Sequence, residues 1–484
     1  MRQIVLFSLA NLLIGSVFLV PAAQADDKST PAARPNVLFI AVDDLRPELA
    51  CYGAPARTPH IDQLAKTGMQ FERAYCNQAV CGASRVSLMT GLYPEFTGER
   101  TYHVTNWRRR WAHIVTLNQH FTNHGYTTVG LGKIYHGSAG PGVDPEHWSQ
   151  WLTVKGQEYA EPARLEFVRD RNGRRRGPAT ENATTSDETH FDGNRAHVGA
   201  EQIEKLTEAG EPFFLAVGFT KPHLPFVAPQ KYWDMYQRES FRLPPNLGVP
   251  PGYPEYARNA NAGELRAYSD IPTGGSPTQF SDELNLRLLH GYHACVSYTD
   301  RNIGVLLEAL ERSGAAKNTI VVLWADHGWK LGDHSSWCKH TNFECDTRVP
   351  LIVRHPGIAA THGKTTTALV ELIDLYPTLC ELCGLNLPKH VQGKSFATLL
   401  SDGTASHRES AYSSYPHGPV VGHSIRTERY RYTQWWEAKT DKVVDSVLTD
   451  ITADPGETTA IEKYEDLKSK LSAQLRNRVL AARK

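Results

Sequence analysis

NVLFIAVDD, from Asn36 to Asp44, is an apolar run opened by Asn36 and closed by two carboxylates. A run this short, rich in β-branched residues and apolar at alternate and intervening positions alike, reads as a strand buried on both faces of a parallel sheet. Three further runs share its form. TTVGL (Thr127 to Leu131) leads into Gly132-Lys133-Ile134-Tyr135-His136, PFFLAVGF (Pro212 to Phe219) into Thr220-Lys221-Pro222-His223, and TIVVLWA (Thr319 to Ala325) into Asp326-His327-Gly328. In open α/β sheets, sites form beyond the carboxyl ends of the strands. Strands that all deliver Asp, Lys or His at that end predict one shared site.

Helical patterns lie between the strands. They cover Thr58 to Thr67 before Gly68, Leu117 to His124 before Gly125, Ala200 to Ala209 before Gly210, and a long amphipathic run from Arg287 to Ser313. This alternation predicts an α/β fold with a mixed, mostly parallel sheet flanked by helices. Leu152 to Asn194, polar and Arg-rich, and Arg242 to Gln279, rich in Pro, Gly and Asn, read as long surface insertions of the kind that shape a substrate entrance. Near residue 404 the pattern changes. Ser424 to Gln434 (SIRTERYRYTQ) reads as a strand, Tyr415 to Gly418 as a turn, Leu448 to Pro455 as a strand and turn, and Tyr464 to Ala482 as an amphipathic helix. The expected division is a catalytic domain over 26–403 and a smaller α+β subdomain over 404–484.

Hydrophobic residues make up 40% of the 484 and charged residues 21%, the balance of a soluble globular protein. Lys+Arg and Asp+Glu number 52 each, so no global charge points to nucleic acid or to an acidic membrane. Arg2, the apolar Ile4 to Val20 and the small-x-small Ala23-Gln24-Ala25 read as a signal peptide over 1–25, cleaved to leave Asp26. The same run also reads as an uncleaved anchor, but the cleavage site and the polar Asp26-Asp27-Lys28 favour removal. No later stretch has the roughly 18 unbroken apolar residues of a span. After signal removal no membrane contact is expected, and the periplasm or the cell exterior is the expected destination.

The cysteines are Cys51, Cys76, Cys81, Cys295, Cys338, Cys345, Cys380 and Cys383. Export permits disulfides, and Cys338 and Cys345 are close enough in sequence to pair. Cys380 and Cys383, in a helical pattern, read as buried small hydrophobes.

Asp43, Asp44 and Asp326, with His327 adjacent, form an oxygen-rich set that suits a hard cation such as Ca²⁺ or Mg²⁺. Lys133, His136, His223 and Lys339 are the cationic or proton-donating candidates. Lysines and a metal can hold the delocalised charge of a sulfate ester, and a histidine can protonate a leaving alcohol. CGASRVSLMTG, Cys81 to Gly91, places a thiol near Arg85. A neighbouring cation lowers a thiol's pKa and makes it a nucleophile or metal ligand. Arg108-Arg109-Arg110, flanked by Trp107 and Trp111, reads equally as a glycan grip, with tryptophans to stack on sugar rings, and as a solvated loop. Arg174-Arg175-Arg176 reads as a solvated loop.

These segments together resemble type I sulfatases of the alkaline phosphatase superfamily, and most of all their iduronate-2-sulfatase branch. The resemblance rests on Val42-Asp43-Asp44-Leu45-Arg46, the C-x-[PA]-S-R-x-x-x-x-T-G signature at Cys81 to Gly91, Gly132 to His136, Lys221 to Phe226, Asp326 to His334, and Ser424-Ile425-Arg426-Thr427. It runs from about Asn36 to Pro455, and Ala83 stands where Pro is commoner.

The resemblance implies an alkaline-phosphatase-like fold and a sulfuric ester hydrolase acting on a carbohydrate, with a 2-O-sulfated uronic acid as the suggested substrate. It implies that Cys81 is converted to formylglycine by a maturation enzyme. Asp43, Asp44, residue 81, Asp326 and His327 would hold Ca²⁺, with Mg²⁺ second. Arg85 would stabilise the hydrated aldehyde, Lys133 and Lys339 would bind sulfate, His136 would contact the formylglycine hydroxyl, and His223 the sulfate or leaving oxygen. In the implied covalent mechanism one hydroxyl of the aldehyde hydrate attacks sulfur and the other loses its proton to expel sulfate. The segment around His417 and His423 is expected to contact the sugar. Two alternatives share the fold: a phosphate mono- or diester hydrolase, and a non-catalytic glycan-binding relative.

Overall fold

The apolar runs become strands because their side chains can be buried on both faces at once. In the computed structural model, which describes Met1 and residues 34–484 apart from 103, 105, 138, 139, 260 and 275–279, they sit at the centre of one sheet. The signal peptide expected over 1–25 lies, Met1 aside, outside those residues. The strands are β1 (Asn36–Val42), β2 (Met69–Tyr75), β3 (Thr127–Gly132), β4 (Gln150–Leu152), β5 (Phe213–Phe219), β6 (Thr319–Ala325), β7 (Arg348–Arg354), β8 (Lys364–Thr366) and β9 (Val370–Glu371). Their order is β8–β2–β7–β6–β1–β5–β3–β4, with β9 also paired to β2. β1 is parallel to β5 and β6, and only β7 runs against the rest. Every residue of β5 and β6 is buried.

The register sets the site. Val42 pairs with Ala325 on one side and Phe219 on the other, and Gly132 pairs with Gly218. Asp43, Lys133, Thr220 and Asp326 therefore leave the sheet at one level. Gly132 has φ +76°, and a Cβ there would collide with the Gly218 carbonyl, just as one on Gly218 would collide with the Lys133 backbone. This close approach requires glycine at both positions, and it lets the chain after β3 fold back over β5 to present Lys133.

The helices used below are α1 (Pro59–Thr67), α2 (Cys81–Thr90), α3 (Leu117–Asn123), α4 (Phe191–Ala209), α5 (Asp282–Arg312), α6 (Leu375–Leu382) and α7 (Glu465–Ala482). α4 starts well before the expected Ala200. Asp192 in its first turn accepts the backbone N–H groups of Thr220 (2.9 Å) and Lys221 (2.7 Å), so a tertiary tie to the end of β5 fixes a start that local patterning does not mark.

A second, antiparallel sheet of β10 (Ala411–His417), β11 (Val420–Arg426), β12 (Tyr430–Glu437) and β13 (Val443–Asp450) follows, paired in sequence order. One face buries Tyr412, Ile425, Tyr432, Trp436 and Leu448 against Leu471, Leu475 and Val479 of α7. The other lays Val420, Trp435 and Val447 against Ala257 and Phe343. Ser424 to Gln434 is thus two strands and not one. The Thr427 hydroxyl, 3.0 Å from the Tyr430 N–H, closes a turn between them without interrupting the polar–apolar pattern. The expected turn at Tyr415 to Gly418 is likewise shorter, because β10 continues to His417 and only Gly418 takes the left-handed φ of +61°. Arg34–Lys484 forms one compact unit that contains both sheets.

Candidate active site

Asp43 and Asp44 follow β1. Asp44 has φ +58°, in the left-handed region that Asp tolerates better than most residues. This breaks the alternation of a strand and lets two consecutive carboxylates enter one pocket. Asp326, at the end of neighbouring β6, accepts the Asp44 N–H at 3.2 Å. Ligand atoms of Asp43, Cys81, Asp326 and His327 all lie within 4.8 Å of one another, as do those of Asp43, Asp44, Cys81 and His223. Burial works to raise the Asp43 carboxyl, but Lys133, His223 and Arg85 outweigh it and hold the group well below the usual carboxylate range. At Asp44 burial, joined by the charge of Asp43, prevails over Lys339 and His223 and pushes the carboxyl up. Three fully buried carboxylates on adjacent strand ends, with an imidazole beside them, fit a hard divalent cation.

Cys81 opens α2, whose residues are all buried, and so sits at the positive end of the helix dipole. Its Sγ lies 3.2 Å from His327 Nε2 and 3.9 Å from Lys133 Nζ. Burial, reinforced by the charge of Asp43, nevertheless raises the thiol well above its ordinary pKa. A low-pKa thiol made by Arg85 is therefore not what the structure holds. Arg85 turns away. Its Nε is 2.8 Å from Asp326 Oδ2, its Nη2 is 3.2 Å from Asp43 Oδ1, and Nη1 donates to the carbonyls of Lys133 and, at 3.1 Å, Ile134.

The cationic candidates gather on the same pocket. Lys133 pairs with Asp43. Lys339 Nζ is 2.9 Å from Asp44 Oδ1 and 4.8 Å above the Trp329 ring. His223 Nε2 is 3.9 Å from both Asp43 and Asp44. His136 has a buried Nδ1 with no hydrogen-bond partner, and burial, then the charge of Lys133, push it down to about 3. The loop carrying Lys339 is strained, with positive φ at His334, Ser335, Cys338 and His340, a pattern that clusters at functional sites.

Patterning missed Glu264. It comes from the Pro- and Gly-rich insertion, follows no strand, and is one carboxylate among many in the sequence. Its Oε1 lies 2.9 Å from His223 Nε2 and its Oε2 2.9 Å from Lys339 Nζ. His340, next to Lys339, and Tyr415 of β10 stack with ring centroids 5.6 Å apart, a contact between distant segments that patterning does not mark.

Other expectations are corrected. Trp107 is fully buried, donates from Nε1 to the Gly142 carbonyl at 3.0 Å and stacks on Tyr135, so it offers no face to a sugar. Arg108 is engaged by Asp144 at 2.9 Å. His423 is buried, bonded to the Tyr412 hydroxyl at 2.8 Å and packed against Trp436, in the core beneath α7, so it offers no surface to a sugar. Cys338 and Cys345 are free thiols, as are the other cysteines: Cys338 is fixed in a short ribbon with Lys330, while Cys345 lies within a separate helical turn, Glu344–Thr347. Cys380 and Cys383 are buried. Among the described residues no helix is long and apolar enough to cross a membrane.

The family model for sulfatases matches residues 35–385, and the one for the C-terminal part of N-sulphoglucosamine sulphohydrolase matches 332–484. This chain belongs to the sulfatase family. It is 33% identical to the iduronate 2-sulfatase of Mus musculus, over 88% of this chain and 89% of that one. It is 32% identical to a sulfatase of Formosa agariphila, over 96% and 90%. A solved structure bound to its substrate D-glucosamine-2-N,6-O-disulfate superposes with a TM-score of 0.72 at 21% identity, covering 93% of this sulfatase and 98% of that chain. The phosphonate monoester hydrolase of Agrobacterium radiobacter shares the fold, with a TM-score of 0.71 at 23% identity and coverage of 93% and 95%. The sulfatase is accordingly a sulfuric ester hydrolase with the alkaline-phosphatase-like architecture.

Proposed function

We propose that this sulfatase removes sulfate from a saccharide, with a 2-O-sulfated uronic acid as its substrate class, through a formylglycine made from Cys81 and a bound Ca²⁺. One observation carries the reading: Cys81 Sγ stands inside the carboxylate cluster, 3.2 Å from His327 and 3.9 Å from Lys133, where a modified side chain would meet both cation and sulfate. The likeness to iduronate 2-sulfatase over 88% of the chain supports the uronate.

Asp43, Asp44, Asp326, His327 and residue 81 would hold the cation. The cation supplies Lewis-acid polarisation, and the formylglycine a hydrated aldehyde as nucleophile. Lys133 and Lys339 offset the charge on the nonbridging sulfate oxygens, which is where charge must be held in the transition state. With a cation held by Asp43 and Asp44, Lys133 and Lys339 would be available to the ester. His136, half-buried with a buried, unpartnered Nδ1, would meet the hydroxyl of residue 81, and His223 would face the leaving oxygen. Arg85 keeps Asp43 and Asp326 in place and ties down the Lys133 turn. A maturation enzyme and export to the periplasm or cell exterior belong to the same proposal.

The mass of the tryptic peptide that contains residue 81, from the native host, tests the modification. Thiol-to-aldehyde conversion is expected, and an unmodified peptide in an active preparation would refute it. Sulfate release from a 2-O-sulfated uronate disaccharide should exceed that from N- or 6-O-sulfated glucosamine. A preference for aryl phosphate over aryl sulfate would instead assign the chemistry to phosphate esters.

A further inference from the structure

We propose that Glu264 is a positioning residue: its carboxylate holds Lys339 and His223 on the substrate side of the site, so that they do not compete with the cation for Asp44. This rests on the reading that Asp43, Asp44, Asp326 and His327 hold a divalent cation.

Lys339 Nζ has two carboxylate partners. It lies 2.9 and 3.1 Å from the Asp44 oxygens and 2.9 Å from Glu264 Oε2. His223 Nε2 is 2.9 Å from Glu264 but 3.9 Å from Asp43 and Asp44. A divalent ion bound to Asp44 repels the Lys339 ammonium, and the repulsion is strong because both groups are buried. Glu264 is then the remaining anion that keeps Lys339 in the pocket. Without it, Asp44 is the one carboxylate among the described residues left within ion-pair distance of the ammonium, in competition with the ion.

The carboxylate is held in advance for this task. Asn259, in the same insertion, donates from Nδ2 to the Lys339 carbonyl at 3.0 Å, and the Ser336 hydroxyl donates to the Asn259 carbonyl. Leu265, next to Glu264, is fully buried. The insertion is thus tied to the Lys339 loop through Asn259, five residues before Glu264. With its side chain 25% exposed, against 0% for Asp43 and Asp44, Glu264 is the solvent-facing carboxylate of the group.

The test is Ca²⁺ binding by titration calorimetry on the full chain, comparing wild type with Glu264→Gln, Glu264→Asp and Asp44→Asn. Glu264→Gln should weaken Ca²⁺ by about tenfold, the ordinary size of a coupling between neighbouring sites, while its Ca²⁺-free melting temperature stays at the wild-type value. Glu264→Asp, which keeps the charge, should recover most of the affinity. In sulfate-ester turnover, Glu264→Gln should raise KM more than it lowers kcat. Wild-type Ca²⁺ affinity in Glu264→Gln, or an affinity loss matched by a loss of Ca²⁺-free stability, would overturn the assignment. Asp44→Asn separates the two readings: if it binds Ca²⁺ like wild type, the cation site itself is wrong, and if it loses Ca²⁺ while Glu264→Gln does not, only the role of Glu264 fails.

Discussion

Nε2 of His327 lies 3.2 Å from Sγ of Cys81, and both side chains are sealed from solvent, at 0% and 2% exposure. A thiol so placed, raised by burial and by Asp43, is a poor nucleophile. Under the proposed mechanism the residue acts only after its sulfur has been replaced. Cys81→Ala should therefore fold and lose about 10⁴-fold or more of sulfate release. Cys81→Ser should give at most one equivalent of alcohol per enzyme in a burst assay, because an alkyl sulfate on serine has no second hydroxyl with which to expel sulfate. Sustained turnover by either variant would disprove the aldehyde mechanism.

Arg85 is fully buried between Asp43 and Asp326, with Trp324 5.6 Å from its guanidinium. Its planar fork serves two carboxylates and two carbonyls together, which an ammonium cannot do. Removing one partner of a buried ion pair leaves an uncompensated charge and costs about 3–5 kcal/mol. Arg85→Ala should show that loss in denaturant unfolding. Arg85→Lys should fold better than Arg85→Ala yet lower kcat, because the Lys133 turn loses its ties. Equal kcat in Arg85→Lys and wild type would show that the turn is held by the Gly132–Gly218 contact alone.

The four strand runs were legible because burial on both faces writes itself into sequence as an unbroken apolar run. Asp43, Lys133 and Asp326 were legible because they stand directly after such runs. What failed to show was whatever depends on distant partners. Glu264 is assigned by Lys339, far along the chain, and lies in an insertion with no periodicity. His423 looked functional because an exposed and a buried histidine are alike in sequence, and only the packing of Trp436 and Tyr412 distinguishes them. The turn at Thr427 was hidden because β11 and β12 carry the same alternation on either side of it.

Trp107 gives a direct contrast between a packing role and a sugar-binding one. Its ring centroid is 5.3 Å from that of Tyr135, and no part of it is exposed. Trp107→Ala should cost about 3–5 kcal/mol of stability, as large-to-small core changes do. KM for a sulfated saccharide should be unchanged at temperatures where the variant is folded. A raised KM with unaltered unfolding would return Trp107 to the substrate site.

Glu344 links the two sheets and supplies a pH test away from the catalytic cluster. Tyr75 donates to it at 2.8 Å, Arg426 lies at 3.4 Å and Arg431 pairs with it directly. Burial opposes its ionisation, but Arg431, Arg426 and Arg348 outweigh burial and pull the carboxyl down to about 2. A folded pKa below the unfolded one means stability that is fully present above the unfolded value of 4.5 and is lost as pH falls toward the folded value. The contribution is on the order of 3 kcal/mol at neutral pH. Glu457 limits what a variant can reveal: it lies 2.9 Å from Arg431 Nε, and burial pushes it up to about 7, with Glu344's own charge adding to the rise. Once Glu344 is neutral, Glu457 ionises more readily and takes over part of the pairing. Glu344→Gln should therefore be about 1–3 kcal/mol less stable than wild type at pH 7 in urea unfolding, and the gap should shrink by more than half by about pH 3. A gap that stays constant over that range would mean that Glu344 contributes through packing and not through its charge.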